Sequence, residues 1–261
     1  MEKGSKSDWF AENQAGGVRV VLMSETPGEG VRLNKFLAGC GLGSRRGCES
    51  LIKEGLVEIN GAVVTNLGVR VLPDDHVRFD GKLIHRESEI TLLLNKPEAT
   101  ICTKSDPQGR KTIFDVLPAK FGKLNYIGRL DYQTSGLILL TNSGELNEKL
   151  THPRFHVEKE YHVFLNRVFD RELVGRLLEG FRFEEGHAKA DRVEIVGRKR
   201  VNLVLTQGYN RQIRRMFNKL DYKVKKLERY RIGSLVDYEL EIGKFRVLNH
   251  QEIKAASTNP K

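Results

Sequence analysis

The chain has 261 residues, 39% of them hydrophobic, which is enough for one large domain or for a small domain joined to a medium one. Its 44 Lys and Arg residues outnumber its 34 Asp and Glu residues, giving a formal net charge of +10. This charge is typical of proteins that bind a polyanion. No apolar run approaches the ~20 residues that cross a bilayer, so the composition favours a nucleic-acid partner and disfavours a membrane.

The N-terminal region predicts a flexible tail over residues 1–30, because it shows no sustained periodicity and no apolar core like that of a signal peptide. A short apolar run at 18–23 would suit a strand but has no obvious partner. Cys40, Cys48 and Cys102 have neither metal-ligand nor paired spacing. We therefore expect buried thiols in a reducing cytoplasm, and we predict no metal site.

Residues 31–84 predict a small helical and hairpin module. Apolar residues at helical spacing indicate a helix that begins near Leu33 and ends before Gly41. Ser44 suits the N-cap of a second helix, which continues to about residue 54. Two short strands, 56–59 and 62–64, flank Asn60-Gly61, a dipeptide preferred in two-residue hairpin turns.

Several cations in and beside these two helices stand between the apolar positions. Such charges usually form a solvated helix face. Here the cations of the two helices outnumber the acids, and Arg45-Arg46 stands at the start of a helix. Backbone amides and guanidinium groups at that position would bind the same phosphate. RNA binding is therefore favoured for Arg32, Lys35, Arg45, Arg46 and Lys53.

The stretch 32–64, RLNKFLAGCGLGSRRGCESLIKEGLVEINGAVV, resembles the S-four (alpha-L) RNA-binding domain of ribosomal proteins and RNA-modifying enzymes. The resemblance implies a domain over 31–84 that binds structured RNA. It does not by itself imply an enzyme.

After a linker at 85–89, residues 90–254 predict a larger domain of the α+β class on a mainly antiparallel mixed sheet, followed by a polar tail over 255–261. Helices are indicated at Asp170–Glu179, capped by Asp170 and ended by Gly180, and at Asn210–Lys219. Strand-like runs are more numerous, at 90–95, 126–128, 137–141, 161–165, 193–196 and 201–205.

The most informative stretch is 128–142, GRLDYQTSGLILLTN, in which Asp131 stands between two apolar strands and two residues after Arg129. An aspartate here commonly caps the turn formed by Thr134-Ser135. It would serve equally well as a positioned catalytic acid. Spacing alone leaves both interpretations open.

This stretch is similar to GRLDxxTSGLLLLTNDG, the signature of the RsuA/RluB/RluE/RluF-type ribosomal RNA pseudouridine synthases, and the similarity implies that Asp131 is catalytic. EKEYHVFL at 158–165 resembles the family's second motif, which implies that Tyr161 packs against the target base. LTQGYNRQIRRMFNKL at 205–220 resembles the third, whose arginine pairs with the catalytic aspartate and corresponds to Arg214.

The resemblance implies an isomerase of the pseudouridine synthase fold that converts uridine in ribosomal RNA to pseudouridine, without cofactor or metal. Similarity of 206–216 and 224–232 to large-subunit enzymes favours large-subunit RNA. We also expect a monomer. Departures from the family pattern at Gln133, Ser143 and 243–246 leave the target uridine open without touching the three catalytic positions.

A dense run of cations over 211–231 is expected to line an RNA groove. Together with Arg129 and the third motif it completes the predicted RNA contacts, namely Arg129, Asn210, Arg211, Gln212, Arg215, Lys225 and Lys226.

Two other classes of protein would share some of these features. A non-catalytic RNA-binding factor for ribosome assembly would have the same charge and N-terminal module, but it would not need Asp131, Tyr161 and Arg214 together. A nuclease or glycosidase would use an aspartate in a charged cleft, yet such enzymes generally need a second carboxylate or a metal cluster, and none stands out.

Overall fold

The computed structural model describes residues 30–260 together with Glu12–Asn13 and Val20–Val21, and it forms two compact units, Met1–Ser88 and Glu89–Lys261. Most of the predicted tail over 1–30 lies outside the described residues. The two described pairs form strands, β1 (Glu12–Asn13) and β2 (Val20–Val21), and Val20 pairs in parallel with Val63. Val20–Val21 lies within the run at 18–23 that would suit a strand, and Val63 is the partner that the sequence did not reveal, whereas Glu12–Asn13 forms a strand where the sequence predicts a tail.

In its described residues, unit 1 (Met1–Ser88) contains two short helices and a six-stranded sheet ordered β1-β2-β5-β4-β7-β8, with β3 paired to β6 outside it. After β2 its elements are β3 (Val31–Arg32), α1 (Leu33–Gly39), α2 (Arg45–Lys53), β4 (Val57–Ile59), β5 (Ala62–Val63), β6 (Arg70–Val71), β7 (Val77–Phe79) and β8 (Lys82–Leu83). The predicted helical and hairpin module is confirmed.

Local signals set the ends of these elements. The hydroxyl of Ser44 accepts a hydrogen bond from the backbone N–H of Gly47 at 3.0 Å, which caps α2. Asn60 and Gly61 both have positive φ, 53° and 82°, as a tight hairpin turn between β4 and β5 requires. The core of the unit is apolar and includes Leu33, Leu37, Cys48, Ile52 and Val57.

Unit 2 (Glu89–Lys261) is built on a nine-stranded sheet. Its strands are β9 (Thr91–Lys96), β10 (Asn125–Ile127), β11 (Ser135–Thr141), β12 (Lys159–Leu165), β13 (Phe181–Phe183), β14 (Gly186–Ala188), β15 (Arg192–Gly197), β16 (Arg200–Leu205), β17 (Val224–Ile232), β18 (Leu235–Val236) and β19 (Phe245–Val247). Its helices are α3 (Gly144–Thr151), α4 (Val174–Glu179), α5 (Gln212–Asn218) and α6 (His250–Ala256).

The sheet runs in the order β15-β16-β12-β17-β11-β9-β19, with β10 paired to β11 and β18 to β17, while β13 and β14 form a separate hairpin. Its pairings are antiparallel except for β11 beside β17. The predicted α+β class and mainly antiparallel mixed sheet are confirmed. No helix among residues 30–260 is long and apolar enough to cross a membrane.

Three apolar cores hold unit 2 together. Helices α4 and α5 pack on the β15-β16-β12-β17 half in a core that contains Val163 and Phe217. The strands β9 and β11 are covered on both faces, by a core that contains Leu94 and Ile138 and by another that contains Leu93 and Leu139. Burial on both faces explains why every residue from 135 to 141 is buried and why this strand reads as a continuous apolar run.

Two predicted boundaries differ from the structure. The helix expected over 170–179 is a 3-10 turn, Arg171–Leu173, followed by α4, although Asp170 does cap it by accepting from the N–H of Glu172 at 3.0 Å. The tail expected from residue 255 begins inside α6. Beyond that helix, the side chain of Asn259 accepts from the N–H of Glu158 at 2.9 Å, which ties the segment to unit 2.

Candidate active site

Asp131 lies in the turn that joins β10 to β11, at the start of the most deeply buried strand in unit 2. The turn is closed by the backbone, because the N–H of Thr134 donates to the carbonyl of Asp131 at 3.0 Å. Among the described residues, the buried hydroxyls of Thr134 and Ser135 have no hydrogen-bond partner. The half-buried Asp131 carboxylate therefore makes no hydrogen bond to either hydroxyl.

Lys96, at the end of β9, supports this turn from inside the protein. Its side chain is 0% exposed, and its Nζ donates to the carbonyls of Thr134 at 2.8 Å and of Pro97 at 2.9 Å. Burial lowers the pKa of Lys96 to about 8, although the nearby Cys102, Glu98 and Asp131 oppose that shift. Lys96 was not among the predicted site residues, because its only signal in the sequence is a lysine that ends an apolar strand.

Tyr161 reaches the same place from β12, where it pairs with Arg229 of β17. Asp131 and Tyr161 line one cavity of about 90 Å³, together with Arg129 and residues of the third motif. Further wall residues that the sequence analysis did not single out are Thr134, Gln207, Gly208 and Tyr209. The structure thus brings together two of the three predicted catalytic side chains.

Arg214, on α5, lines a neighbouring cavity instead. Its guanidinium donates to the carbonyl of Gln133 at 2.7 Å and to the carbonyl of Val224 at 3.0 Å. The ion pairs within 4 Å among the described residues do not include Arg214 with Asp131. Arg214 therefore binds the backbone of the Asp131 turn through Gln133 and the start of β17 through Val224, and it does not pair with the Asp131 carboxylate as the family resemblance implied.

Electrostatics nevertheless couple Arg214 to the turn. Burial and the charge of Arg211 lower the pKa of Arg214, whereas the negative charges of Asp131 and Glu98 raise it. Both carboxylates therefore lie close enough for their charges to act on this guanidinium.

The strand β11, which follows the Asp131 turn, is held in position by its close approach to β17. Gly136 has φ +108°, and a Cβ atom there would lie 2.2 Å from the carbonyl oxygen of Arg229. The buried Arg229 side chain donates in turn from its Nε to the carbonyl of Leu137 at 2.7 Å. Only glycine permits this approach, so Gly136 positions the Asp131 turn against the β17 strand.

The predicted RNA contacts of unit 1 are all exposed. Arg32 ends β3, Lys35 lies on α1, and the other three are spaced along α2, namely Arg45, Arg46 and Lys53.

The predicted RNA contacts of unit 2 fall into different environments. Arg129 and Arg211 are exposed and line the Asp131 cavity. Gln212 also lines it but is 4% exposed, and its Oε1 accepts from the N–H of Tyr209 at 3.1 Å. Arg215 pairs with Glu185 at 2.7 Å and also donates to the carbonyl of the exposed Asn210. Gln212 and Arg215 thus also support the loop before α5.

Lys225 and Lys226 are neighbours on β17, so their side chains point to opposite faces of the sheet. Lys226 forms an ion pair with Glu228 at 2.9 Å and lies 5.6 Å from the centroid of the Phe164 ring. Lys225 is exposed. RNA binding by Lys225 and Lys226 stays a prediction. Because their side chains point to opposite faces of the sheet, the two are not expected to contact the same phosphate.

The described residues contain no group of three or more His, Cys, Asp and Glu side chains that could hold a metal ion. Cys40, Cys48 and Cys102 are free thiols, and burial raises the pKa of Cys40 to about 11.

Comparison with known proteins assigns a family to each unit. Residues 90–219 match the family model described as RNA pseudouridylate synthase, and residues 31–77 match the S4 domain model. A Bacillus subtilis protein named ribosomal large subunit pseudouridine synthase B is 40% identical over 229 residues, which are 85% of this chain and 94% of that protein. A Pseudomonas aeruginosa protein of the same name is 39% identical over 252 residues, covering 90% of this chain and 65% of that protein.

A crystal structure of a pseudouridylate synthase superposes with a TM-score of 0.64 at 33% identity, covering 87% of this chain and 99% of that one. The resemblances noted in the sequence are confirmed. The chain belongs to the RNA pseudouridylate synthase family and contains an S4 domain on the N-terminal side of its synthase domain.

Proposed function

We propose that this protein converts specific uridines of large-subunit ribosomal RNA to pseudouridine, and that Asp131 is its essential catalytic residue. One observation carries the assignment of the site: Asp131 and Tyr161 line a single cavity in a chain of this family. The names of the relatives from Bacillus subtilis and Pseudomonas aeruginosa support the large-subunit substrate.

The reaction is an isomerisation. The bond from uracil N1 to ribose C1′ breaks, the freed base rotates, and a bond forms from C5 to C1′. C5 loses its proton to solvent and N1 gains one, so atoms balance without an oxidant or a transferred group. The target uridine first leaves the RNA stack, at a cost of a few kcal/mol that contacts with phosphates and flanking bases offset.

The side chains of the cavity suit these steps. Asp131 supplies the carboxylate, either as a nucleophile or as the base that removes a ribose proton. Tyr161 offers an aromatic face to the uracil while it rotates. Arg214 holds the carbonyl of Gln133 and so maintains the turn that presents Asp131.

Capture of the RNA is assigned to the basic surfaces of both units. The net charge of +10 provides long-range attraction, and the exposed cations of α1 and α2 are expected to contact phosphates. We further propose that the protein works as a cytoplasmic monomer, without cofactor or metal.

The first test is tritium release from ribosomal RNA that carries tritium at uracil C5. Asp131→Asn keeps the size of the side chain but removes the carboxylate, so release should fall by a factor of ~10²–10⁴ or more. Asp170→Asn is the matched control, since asparagine caps the helix as well as aspartate does, and it should retain wild-type activity.

The alternative function predicts a different result. If the protein is a non-catalytic RNA-binding assembly factor, neither the wild type nor a variant should release tritium. This should hold for RNA of either subunit and for partly assembled particles. Full activity of Asp131→Asn would be consistent with the proposed reaction but would show that Asp131 is not essential to it.

A further inference from the structure

A second and larger cavity, of about 520 Å³, lies beside the candidate active site in unit 2. Its volume falls within the ~300–1,000 Å³ typical of ligand sites. Five of its lining side chains are cations and none is a carboxylate, the cations being Arg211, Arg214, Arg215, Lys219 and Lys223. The catalytic roles proposed above make no use of this space.

The positive charge of this cavity is only partly neutralised. Arg215 has a carboxylate partner in Glu185. Arg214 donates to two backbone carbonyls, which carry no net charge, and its buried Nε has no partner among the described residues. The charge of Arg211 helps to lower the pKa of Arg214, so these two guanidinium groups repel one another. An anion between them would relieve that repulsion.

Aromatic rings form part of the same walls. Phe183 and Tyr222 line the cavity, but Tyr222 is only 4% exposed, and the guanidinium of Arg215 lies over the Phe183 ring at 3.9 Å from its centroid. Aromatic and guanidinium planes are the surfaces on which unstacked RNA bases pack. Cations beside such planes fit a ligand that combines a phosphate with a planar base.

Arg211 connects this cavity to the candidate active site, because it lines both. Its backbone has φ +49°, a left-handed conformation that non-glycine residues adopt infrequently and that often marks functional positions. Gln133 lines the larger cavity and stands two residues after Asp131. A strand whose target base enters the smaller cavity would therefore place the adjacent nucleotide in the larger one.

We propose that the larger cavity binds the nucleotide next to the target uridine in the same RNA strand. Lys219 and Lys223 hold its phosphate, and the guanidinium plane of Arg215, which lies over the Phe183 ring, receives its base. This inference rests on the proposed function, and it adds a subsite that restricts which uridines are accepted.

The test is a steady-state tritium-release assay with ribosomal RNA and the variant Lys219→Ala/Lys223→Ala. Both lysines are exposed, so the fold should be unaffected. KM is expected to rise about tenfold and kcat to stay within about twofold of wild type, because these side chains bind RNA away from the reacting atoms. The slope of log(1/KM) against log salt should flatten by ~0.7 per lost phosphate contact.

Lys149→Ala/Lys254→Ala removes the same charge from exposed positions on α3 and α6 and should keep the wild-type KM. An equal rise in KM for both double variants would show that the effect depends only on net charge, and it would contradict the proposed subsite. So would an unchanged KM, or a fall in kcat alone. Failure of the proposed function would look different, since the wild-type protein itself would release no tritium.

Discussion

At the scale of single residues, the buried amine of Lys96 donates hydrogen bonds to the carbonyls of Pro97 and Thr134. Burial lowers its pKa to about 8, whereas a lysine in an unfolded chain titrates near ~10.4. Between these values the unfolded state binds more protons than the folded state. Raising the pH through this window therefore stabilises the fold.

Lys96→Met removes this titration and roughly keeps the side-chain volume. Between about pH 7 and about pH 9.5, the free energy of unfolding of the wild type should increase by ~2 kcal/mol relative to that of Lys96→Met. Lys159, whose pKa is also lowered to about 8 by burial, is present in both proteins, so its contribution cancels. Urea unfolding at the two pH values measures the difference.

The exposed Lys149→Met is the control for that experiment and should follow the wild-type pH dependence. Parallel behaviour of wild type and Lys96→Met would mean that Lys96 titrates normally in the folded protein.

Residues of the site differ in how far the sequence predicts them. Asp131 and Tyr161 stand in motifs that the chain retains, and the structure places both side chains in one cavity. Lys96 could not be predicted, because a lysine before a proline is ordinarily solvated and its contact with Thr134 depends on a partner 38 residues away. The partners of Arg214 also escaped prediction, since they are backbone carbonyls that no sequence pattern marks.

At the scale of secondary-structure elements, the pairing of β11 with β17 depends on Gly136. Gly136→Ala would bring its Cβ within 2.2 Å of a backbone carbonyl and impose a positive φ on alanine. We expect a loss of about 3 kcal/mol in the free energy of unfolding, measured by urea titration.

Gly197→Ala, on β15, is the control for this strand glycine. A Cβ there would meet the Arg200 side chain at 3.8 Å, an ordinary contact, so the free energy of unfolding should change by less than about 1 kcal/mol. Equal effects of the two substitutions would show that the β11–β17 approach can relax.

The strand β17 shows why some elements escaped prediction. Its nine residues include Lys225, Lys226, Glu228, Arg229 and Arg231, and so many charges obscure the alternation of a strand. In the structure several of these charges have partners inside the fold. Arg231 pairs with Glu160 and Glu158, and Arg229 binds the carbonyl of Leu137. Such partners come from β11 and the β12 region, which only the tertiary fold brings near.

Elements with strong local signals were predicted well. The capped helix α2, the Asn60-Gly61 hairpin and the apolar strand β11 all lie where the sequence indicates. Helices α3 and α6 were missed although Ser143 and the Asn249–Glu252 capping box mark their starts. Each buries one side chain, so its apolar face gives no clear period, and neither ends at a glycine as α4 does at Gly180.

At the scale of the whole molecule, the exposed cations are distributed over two units. In unit 1, the cations at the start of α2 destabilise that helix. The first turn of α2 contains Arg45 and Arg46 and no acid, although cations are unfavourable at a helix N-terminus. Arg45→Ala/Arg46→Ala should therefore leave the thermal unfolding midpoint equal to or slightly above that of the wild type.

Affinity for ribosomal RNA should move in the opposite direction in the same variant. Its Kd should rise, and the dependence of log Kd on log salt should flatten by ~1 for each lost phosphate contact. Filter binding across a salt series measures both quantities. Arg78→Ala/Lys82→Ala removes two exposed charges outside the helices of unit 1, and a loss of affinity as large as that of the α2 variant would contradict a specific role for α2.

The parallel contact of β11 with β17 also bears on how the protein acquires activity. It pairs Ser135 with Glu228 and Gly136 with Arg229, and pairings between residues so far apart in sequence close late because their loop entropy must be overcome first. The β12–β17 and β9–β11 pairs can form on either side while this junction is still open. During refolding, secondary structure should thus return before catalysis, since the loop bearing Asp131 is ordered only when its strand docks beside Arg229.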